Sequence, residues 1–399
     1  MKRLRKLRWI AAGALALLTP AFFTISVTAA ETAGPKPQHV FIIVLENEGY
    51  DVTFGSKSPA LYLNALARKG ALLKNYYGIG HNSLDNYIAM ISGQAPNPVT
   101  QADCDVFADF LPKDADGSAQ MDKDGQAIGT GCVYPKNVST IVNQFGPGLI
   151  WKAYMEDMGN DPGRDAGTTC GHPTIGEKDK TQGAVKGDQY AARHNPFMYF
   201  HAVIDDAQNC AANVVNLSAL ARDLEKLETT PHYAFITPNL CHDGHDEPCV
   251  DNEPGGLVSA DKFLQQYVPM ILNSPAFKYD QNNKYNGGLL IVTFDEADTG
   301  DATACCKEPH GPNIKPSDKV FDDPDKGPGV SGPGGGRIGA VLVSRYIKPG
   351  TVSTAPYNHY SLLRSIEDFF GLAHLGYAAQ DGLKSFGKDV FTKPSGKQY

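Results

Sequence analysis

Apolar residues recur along this chain in two rhythms. Four continuous runs rich in β-branched residues stand out: HVFIIVLEN from His39, YAFITPN from Tyr233, NGGLLIVTFDEAD from Asn286 and GRIGAVLVSRYI from Gly336. Runs without polar alternation predict strands covered on both faces, as in a parallel sheet. Apolar positions three and four apart predict helices over SPALYLNALARKGALLKNYYG (58–78) and NHYSLLRSIEDFFGLAHLG (358–376), the second ended by glycine. The aromatic run Phe197–Phe200 predicts one more buried strand. Strands alternating with helices predict an α/β fold, a central mostly parallel sheet with helices on both faces.

Ligands of such sheets gather beyond the carboxyl ends of the strands. Glu46 and Asn47 follow the first run. Asn239, His242, Asp243 and His245 follow YAFIT, and Asp295 with Glu296 follows LLIVTF. One acidic pair at a strand end is ordinary turn chemistry. Three strand ends carrying such residues predict a shared site.

Between these runs lies GHNSLDNYIAMISG (80–93), a serine among polar groups just before an apolar helical stretch. Alone, Ser83 reads as a helix N-cap. Beside the strand-end residues it reads as a nucleophile. Hard oxygen donors from Glu46, Asn47, Asp295 and Glu296 suit Mg2+, Ca2+, Mn2+ or Zn2+. A metal beside a serine hydroxyl lowers its pKa. The start of a helix turns N–H groups toward an anion, and the Asn86 amide on the first turn can donate to a phosphate oxygen. Tyr87 reads as core, and Asn82 and Asp85 as turn chemistry.

Composition narrows the setting. The chain has 399 residues, 42% hydrophobic and 20% charged, with no low-complexity tract. That is ordinary for a soluble globular protein. Residues 1–30 carry five cations, an apolar stretch and small residues at Ala29 and Ala30, the layout of a secretory signal peptide. Residues 31–399 then form a single catalytic domain with a net charge of −13, exported to the periplasm or medium and without a transmembrane anchor. Such an acidic chain is a poor partner for nucleic acid. Eight cysteines outside the cytoplasm predict disulfides, and sequence proximity favours Cys104 with Cys132 and Cys170 with Cys210.

Two stretches read as insertions. The one near 101–133 has Asp-Gly turns at Asp116-Gly117 and Asp124-Gly125 and predicts a disulfide-tied surface hairpin, since EF-hand spacing is absent. The Pro/Gly-rich stretch near 305–337 is too long for a simple connection, and reads equally as a cover for the site or a surface loop. Its GPGGGR lacks the lysine and spacing of a P-loop.

Six motifs in order carry a resemblance: FIIVLENEGYDVTFG, GHNSLDNYIAMISG, QYAARHNPFMYF, TPNLCHDGHD, LLIVTFDEAD and YNHYSLLRSIEDFFGL. Together, from about His39 to Gly376, they resemble the bacterial phosphoesterase family of the alkaline phosphatase superfamily, which includes secreted acid phosphatases and phospholipases C. The resemblance implies an alkaline-phosphatase-like fold. It implies that Glu46, with Asn47 beside it, is a metal ligand, that Ser83 is the nucleophile and also binds metal, and that Asn86 contacts phosphate. Asp295 and Glu296 match the paired ligands of a later strand. For the second metal of two-metal relatives the nearest candidates are Asn239, Asp243 and His359. These depart from the usual Asp and two His, so one well-held metal is expected, with histidines supplying the missing positive charge.

His194, His242 and His245 are the histidines placed to bind phosphate oxygens or protonate a leaving group. As imidazolium ions, His194 and His245 predict activity on the acidic side. His39, His172, His201, His232, His310 and His374 read as structural or surface. The expectation is an exported metal-dependent acid phosphatase acting on phosphomonoesters, small molecules or phospholipid headgroups, through a phosphoserine. The alternatives are a phospholipase C-type phosphodiesterase and, from another class, a non-catalytic secreted binding protein. A sulfatase is disfavoured because Ser83 lacks the Cys/Ser-x-Pro-x-Arg context.

Overall fold

The computed structural model describes residues 37–278, 287–314 and 334–391, which lie in one compact unit, Gly34–Tyr399. The signal-peptide segment 1–30 and most of the Pro/Gly-rich stretch, 315–333, lie outside the described residues.

Ten strands are described. They are β1 (His39–Leu45), β2 (Ala71–Leu73), β3 (Tyr76–Tyr77), β4 (Trp151–Met155), β5 (Val214–Asn216), β6 (Tyr233–Thr237), β7 (Gly288–Phe294), β8 (Ala340–Ser344), β9 (Thr351–Ser353) and β10 (Tyr357–Asn358). Eight of them form one sheet in the order β5-β4-β6-β1-β7-β8-β2-β9. β8 runs antiparallel to β7 and β2, and the other described pairs in this sheet are parallel. Three of the four predicted runs became β1, β7 and β6, adjacent in the sheet and buried along their whole length, and the fourth became β8.

The longer helices are α1 (Leu61–Lys69), α2 (Ser83–Ser92), α3 (Gly256–Leu272) and α4 (His359–Phe370). Successive strand residues point to opposite faces. Phe235 of β6 stands beside Ile42 of β1, and its ring meets Tyr87 of α2 at 6.1 Å. Phe41, one residue earlier on β1, points the other way and meets Phe277, just beyond α3, at 5.9 Å. Helices therefore cover both faces of a mostly parallel sheet.

Three local expectations are corrected or refined. The helix predicted over 58–78 stops at Lys69, and Ala71–Leu73 joins the sheet instead. Gly70 makes the switch possible: a Cβ there would lie 2.1 Å from the Leu342 carbonyl oxygen, so only glycine lets the chain pass this close to β8. Phe197–Phe200 is not a strand. Pro196–Tyr199 is a buried 3-10 turn, with Phe197 packed against Trp151 and Phe235. The 101–133 insertion holds antiparallel bridges Leu111–Thr130 and Met121–Ala127, tied by Cys104–Cys132. The other cysteines pair as Cys170–Cys210, Cys241–Cys249 and Cys305–Cys306. Among the described residues, no helix is long and apolar enough to cross a membrane.

The consequence for function is geometric. β6, β1 and β7 are neighbours and parallel, so their carboxyl ends emerge side by side. Glu46, the 239–245 segment and Asp295–Glu296 therefore share one edge.

Candidate active site

Ser83 begins α2 and is 4% exposed. Asn82 enters the helix in a left-handed conformation, φ 72°. Its side chain donates to the Gln101 carbonyl at 2.5 Å, which ties the unusual turn to the neighbouring insertion. The turn aims the Ser83 hydroxyl at the end of β1, where it donates to Glu46 Oε2 at 2.6 Å.

Glu46 is fully buried. Its other oxygen, Oε1, accepts the Tyr87 hydroxyl at 2.5 Å, with His194 Nε2 3.3 Å away. Asp295 Oδ1 accepts the backbone N–H groups of Asn47 (3.0 Å) and Glu296 (2.6 Å), while Asp295 Oδ2 is buried without a hydrogen-bond partner. Turned with its nitrogen toward the carboxylates, the Asn47 amide donates to Glu46 Oε2 at 3.1 Å and Asp295 Oδ1 at 3.3 Å. Burial, reinforced by Asp295 for Glu46 and by Glu296 for Asp295, raises both carboxyl pKa values well above the ordinary range. Glu296 and Asp243 are raised in the same way, by burial first and Glu46 second.

The structure brings together Ser83, Glu46, Asn47, Asp295 and Glu296. Asp243 joins from β6: its Oδ1 accepts the His245 N–H at 3.0 Å and its Oδ2 lies 3.7 Å from His194 Nδ1. His245 is exposed at the mouth of the site, with Nε2 3.4 Å from the Asn47 side-chain amide.

Five of the expected residues are engaged elsewhere in this structure. Asn86 does not present its amide to a ligand. Its Oδ1 accepts Ile79 N–H (2.8 Å) and Gly80 N–H (3.2 Å), and its Nδ2 donates one N–H to the Gly80 carbonyl (3.0 Å), so the oxygen and one amide N–H hold the loop before α2. His194 is 1% exposed and stacks on Tyr87 at 5.3 Å. Burial, then Arg193 and His245, pull its pKa well below the usual value, so it is a neutral ring behind Glu46 and not an imidazolium at the surface.

His359 donates from Nε2 to the Asp295 carbonyl at 2.5 Å, and its Nδ1 lies 3.1 Å from the Tyr76 hydroxyl. Both ring nitrogens are used, and burial lowers its pKa to about 4, so it braces the end of β7 and offers no free lone pair to a metal. Asn239 and His242 turn away from the cluster. The Asn239 amide donates to Asp157 and Gln189 and accepts from Cys241 and His242 backbone N–H groups. His242 Nδ1 lies 3.0 Å from Glu156 in a separate small cleft with Glu253, Lys262 and Tyr267.

The sequence reading passed over four contributors. Tyr87 is core, as expected, yet it also holds Glu46. His81 is fully buried, its Nδ1 against Glu296 Oε2 and its Nε2 3.0 Å from the Asp301 carbonyl. Its place two residues before Ser83 was the available signal. Arg193 and Asp103 flank the site from the other side. Arg193 adjoins a histidine already singled out, whereas nothing in the local sequence marks Asp103.

The donors suit a hard cation in their chemistry: carboxylates of Glu46, Asp295 and Glu296, the Ser83 hydroxyl, the Asn47 amide, and an orphaned buried oxygen on Asp295. Among the described residues, no three His, Cys, Asp or Glu side chains are already grouped as a metal cage. Here Ser83, Tyr87 and Asn47 hydrogen bonds occupy oxygens of Glu46 and Asp295 that a cation would use.

Comparison with other proteins gives a consistent picture. The chain is 28% identical over 355 residues to a probable acid phosphatase of Kluyveromyces lactis, covering 88% of this chain and 62% of that protein. It is 28% identical over 318 residues to a phosphate-repressible acid phosphatase of Penicillium chrysogenum, covering 79% and 55%. It is 23% identical over 349 residues to a phosphatidylinositol-3-phosphatase of Mycobacterium tuberculosis, covering 88% and 82%. The chain thus spans a little over half the length of these fungal relatives. Among solved structures, a Vibrio parahaemolyticus protein in the alkaline phosphatase superfamily aligns at 12% identity with a TM-score of 0.43, covering 90% of this chain and 74% of that one. The family match covers residues 56–373, from the approach to α1 to the end of α4, and takes in Ser83, Asp243 and the Asp295–Glu296 pair: the chain belongs to the Phosphoesterase family.

Proposed function

We propose that this chain is an exported, divalent-metal-dependent phosphatase that hydrolyses phosphomonoesters through a phosphoserine on Ser83. The carrying observation is the 2.6 Å contact between the Ser83 hydroxyl and Glu46 Oε2 at the start of α2, beside Asn47 and Asp295. The names of the relatives support a phosphoester substrate. Eight paired cysteines support folding in an oxidising compartment.

Glu46 takes the hydroxyl proton across the 2.6 Å contact to its Oε2 as Ser83 Oγ bonds to phosphorus. The bond from phosphorus to the alcohol oxygen breaks, and the alcohol leaves with a proton supplied at the open side, where His245 stands. Water then attacks phosphoserine, phosphate departs, and Ser83 recovers its proton. Glu46, Asn47, Asp295, Glu296 and Ser83 would hold the cation, which when bound supplies Lewis-acid polarisation of the phosphoryl group and a lowered hydroxyl pKa. The need for it is electrostatic: a phosphate approaching Glu46, Asp243, Asp295 and Glu296 meets like charge unless a cation or protons offset it.

The test is Ser83→Ala. Hydrolysis of p-nitrophenyl phosphate should fall by at least ~100-fold with unchanged circular dichroism. Near-wild-type turnover by the folded variant would overturn the proposal.

A further inference from the structure

Arg193 and Asp103 form a charge pair at the rim of the catalytic serine. Arg193 lies on the 3-10 turn Ala192–His194 and is 8% exposed. Its Nη1 donates to the Gln182 carbonyl at 2.7 Å, and its Nε lies 3.8 Å from Asp103 Oδ2. That separation is too long for a hydrogen bond, and none of the hydrogen bonds among the described residues uses Nη2. The guanidinium is therefore anchored along one edge and loosely paired along another.

Asp103 is placed with care. Its Oδ1 accepts the Leu84 N–H at 3.0 Å, one residue beyond Ser83. Its backbone is left-handed, φ 48°, and so is that of Cys104, φ 52°. Two successive non-glycine residues in this region are sterically costly and persist only where the surroundings hold them. Here the Cys104–Cys132 disulfide, the Gln182 side chain on the Asp103 carbonyl (2.9 Å) and the Asp103 N–H on Thr100 (3.1 Å) do so. The strain delivers a carboxylate to the helix start beside the nucleophile, within charge range of one arginine.

From this juxtaposition we infer that Arg193 is a substrate-binding residue for the phosphoryl oxygens of a phosphomonoester, with Asp103 as its positioning counter-charge. The inference rests on the proposed phosphatase reading and deepens it by naming the residue that selects monoesters over diesters. Arg193 carries a permanent positive charge into a site otherwise lined by carboxylates. A monoester dianion presents three non-bridging oxygens to a guanidinium fork, whereas a diester presents two and one charge less. Arg193 therefore favours monoesters. Asp103 holds the fork near Ser83 when no substrate is bound and competes with phosphate for it.

The experiment compares p-nitrophenyl phosphate with bis(p-nitrophenyl) phosphate, which share a leaving group, and adds inorganic phosphate as a competitive inhibitor. Arg193→Gln should lower kcat/KM for the monoester by about 100-fold, weaken phosphate inhibition by a similar factor, and change diester turnover by less than about 5-fold. Arg193→Lys keeps the charge without the fork and should lose about 10-fold in the monoester-to-diester ratio, which keeps the test open if the glutamine variant does not fold. Asp103→Asn retains an acceptor for Leu84 and should tighten phosphate inhibition several-fold, a shift that a purely structural role would not produce.

Equal losses on both esters in Arg193→Gln, or wild-type selectivity and phosphate inhibition in Arg193→Lys, would overturn the inference. Unchanged or weaker inhibition in Asp103→Asn would remove Asp103 from it. If the wild-type protein hydrolyses neither ester, the functional reading itself fails. The rise in melting temperature with inorganic phosphate then decides Arg193 independently, being expected in the wild type and lost in the Arg193 variants.

Discussion

The Tyr87 hydroxyl donates to Glu46 Oε1 at 2.5 Å, on the oxygen that Ser83 leaves unused. One turn of α2 thus supplies both the proposed nucleophile and the group that fixes its proposed base. Tyr87→Phe keeps the ring stacked on His194 and removes only this bond. A hydrogen bond to a charged group contributes about 1.5–3 kcal/mol, so kcat should fall ~10- to 100-fold with KM little changed. A change confined to KM would show that Tyr87 serves substrate binding and not the base.

Metal dependence is the second prediction. Asp295 Oδ2 is buried with no hydrogen-bond partner, which a bound cation would satisfy. Exhaustive chelation should abolish hydrolysis and readdition of a divalent cation restore it. Asp295→Asn should lower the metal content of purified protein, read by elemental analysis. Full activity in protein shown by that analysis to be metal-free would exclude the cation.

Asn86 yields a prediction opposite to the role expected for it from sequence. Its amide makes three hydrogen bonds to the 79–80 loop and is fully buried. Asn86→Ala should cost about 2–4 kcal/mol of stability, seen as a lowered chemical-denaturation midpoint, because buried backbone groups lose their partners. Phosphate inhibition of whatever folded fraction remains should be unchanged. A stable variant with weakened phosphate inhibition would return Asn86 to the substrate.

The fourth prediction concerns acid stability. His39 is buried, stacked on His232 at 5.1 Å, and within 2.9 Å of the Pro231 carbonyl. Burial lowers its pKa from 6.5 to about 4. The unfolded chain therefore takes up this proton as pH falls through about 6.5, and the folded chain only near 4. The group costs nothing above that window, destabilises progressively through it, and adds no further loss below. The full gap corresponds to about 3 kcal/mol. His39→Gln should flatten the fall in melting temperature between pH 7.5 and 4.5. Parallel curves for variant and wild type would assign the acid sensitivity to other groups.

Much of this protein was legible in its sequence. Strands such as β1 and β7 are buried on both faces and must be continuously apolar, so periodicity revealed them. A parallel sheet then sends successive strand ends to one edge, so Glu46, Asn47, Asp295 and Glu296 group with Ser83 from the sequence alone. What tertiary structure decided was the direction and depth of individual side chains. Asn86 turned back to its own loop, because unpaired N–H groups at Ile79 and Gly80 are local and buried. His194 and His359 were drawn inward by Tyr87 and Tyr76, residues more than a hundred positions away, and burial fixed their charge. The pairing of Arg193 with Asp103 joins segments ninety residues apart through a disulfide-pinned loop. Composition and spacing report which groups a chain owns and which local element carries them. Only packing sets the distances and the desolvation that choose among their possible roles.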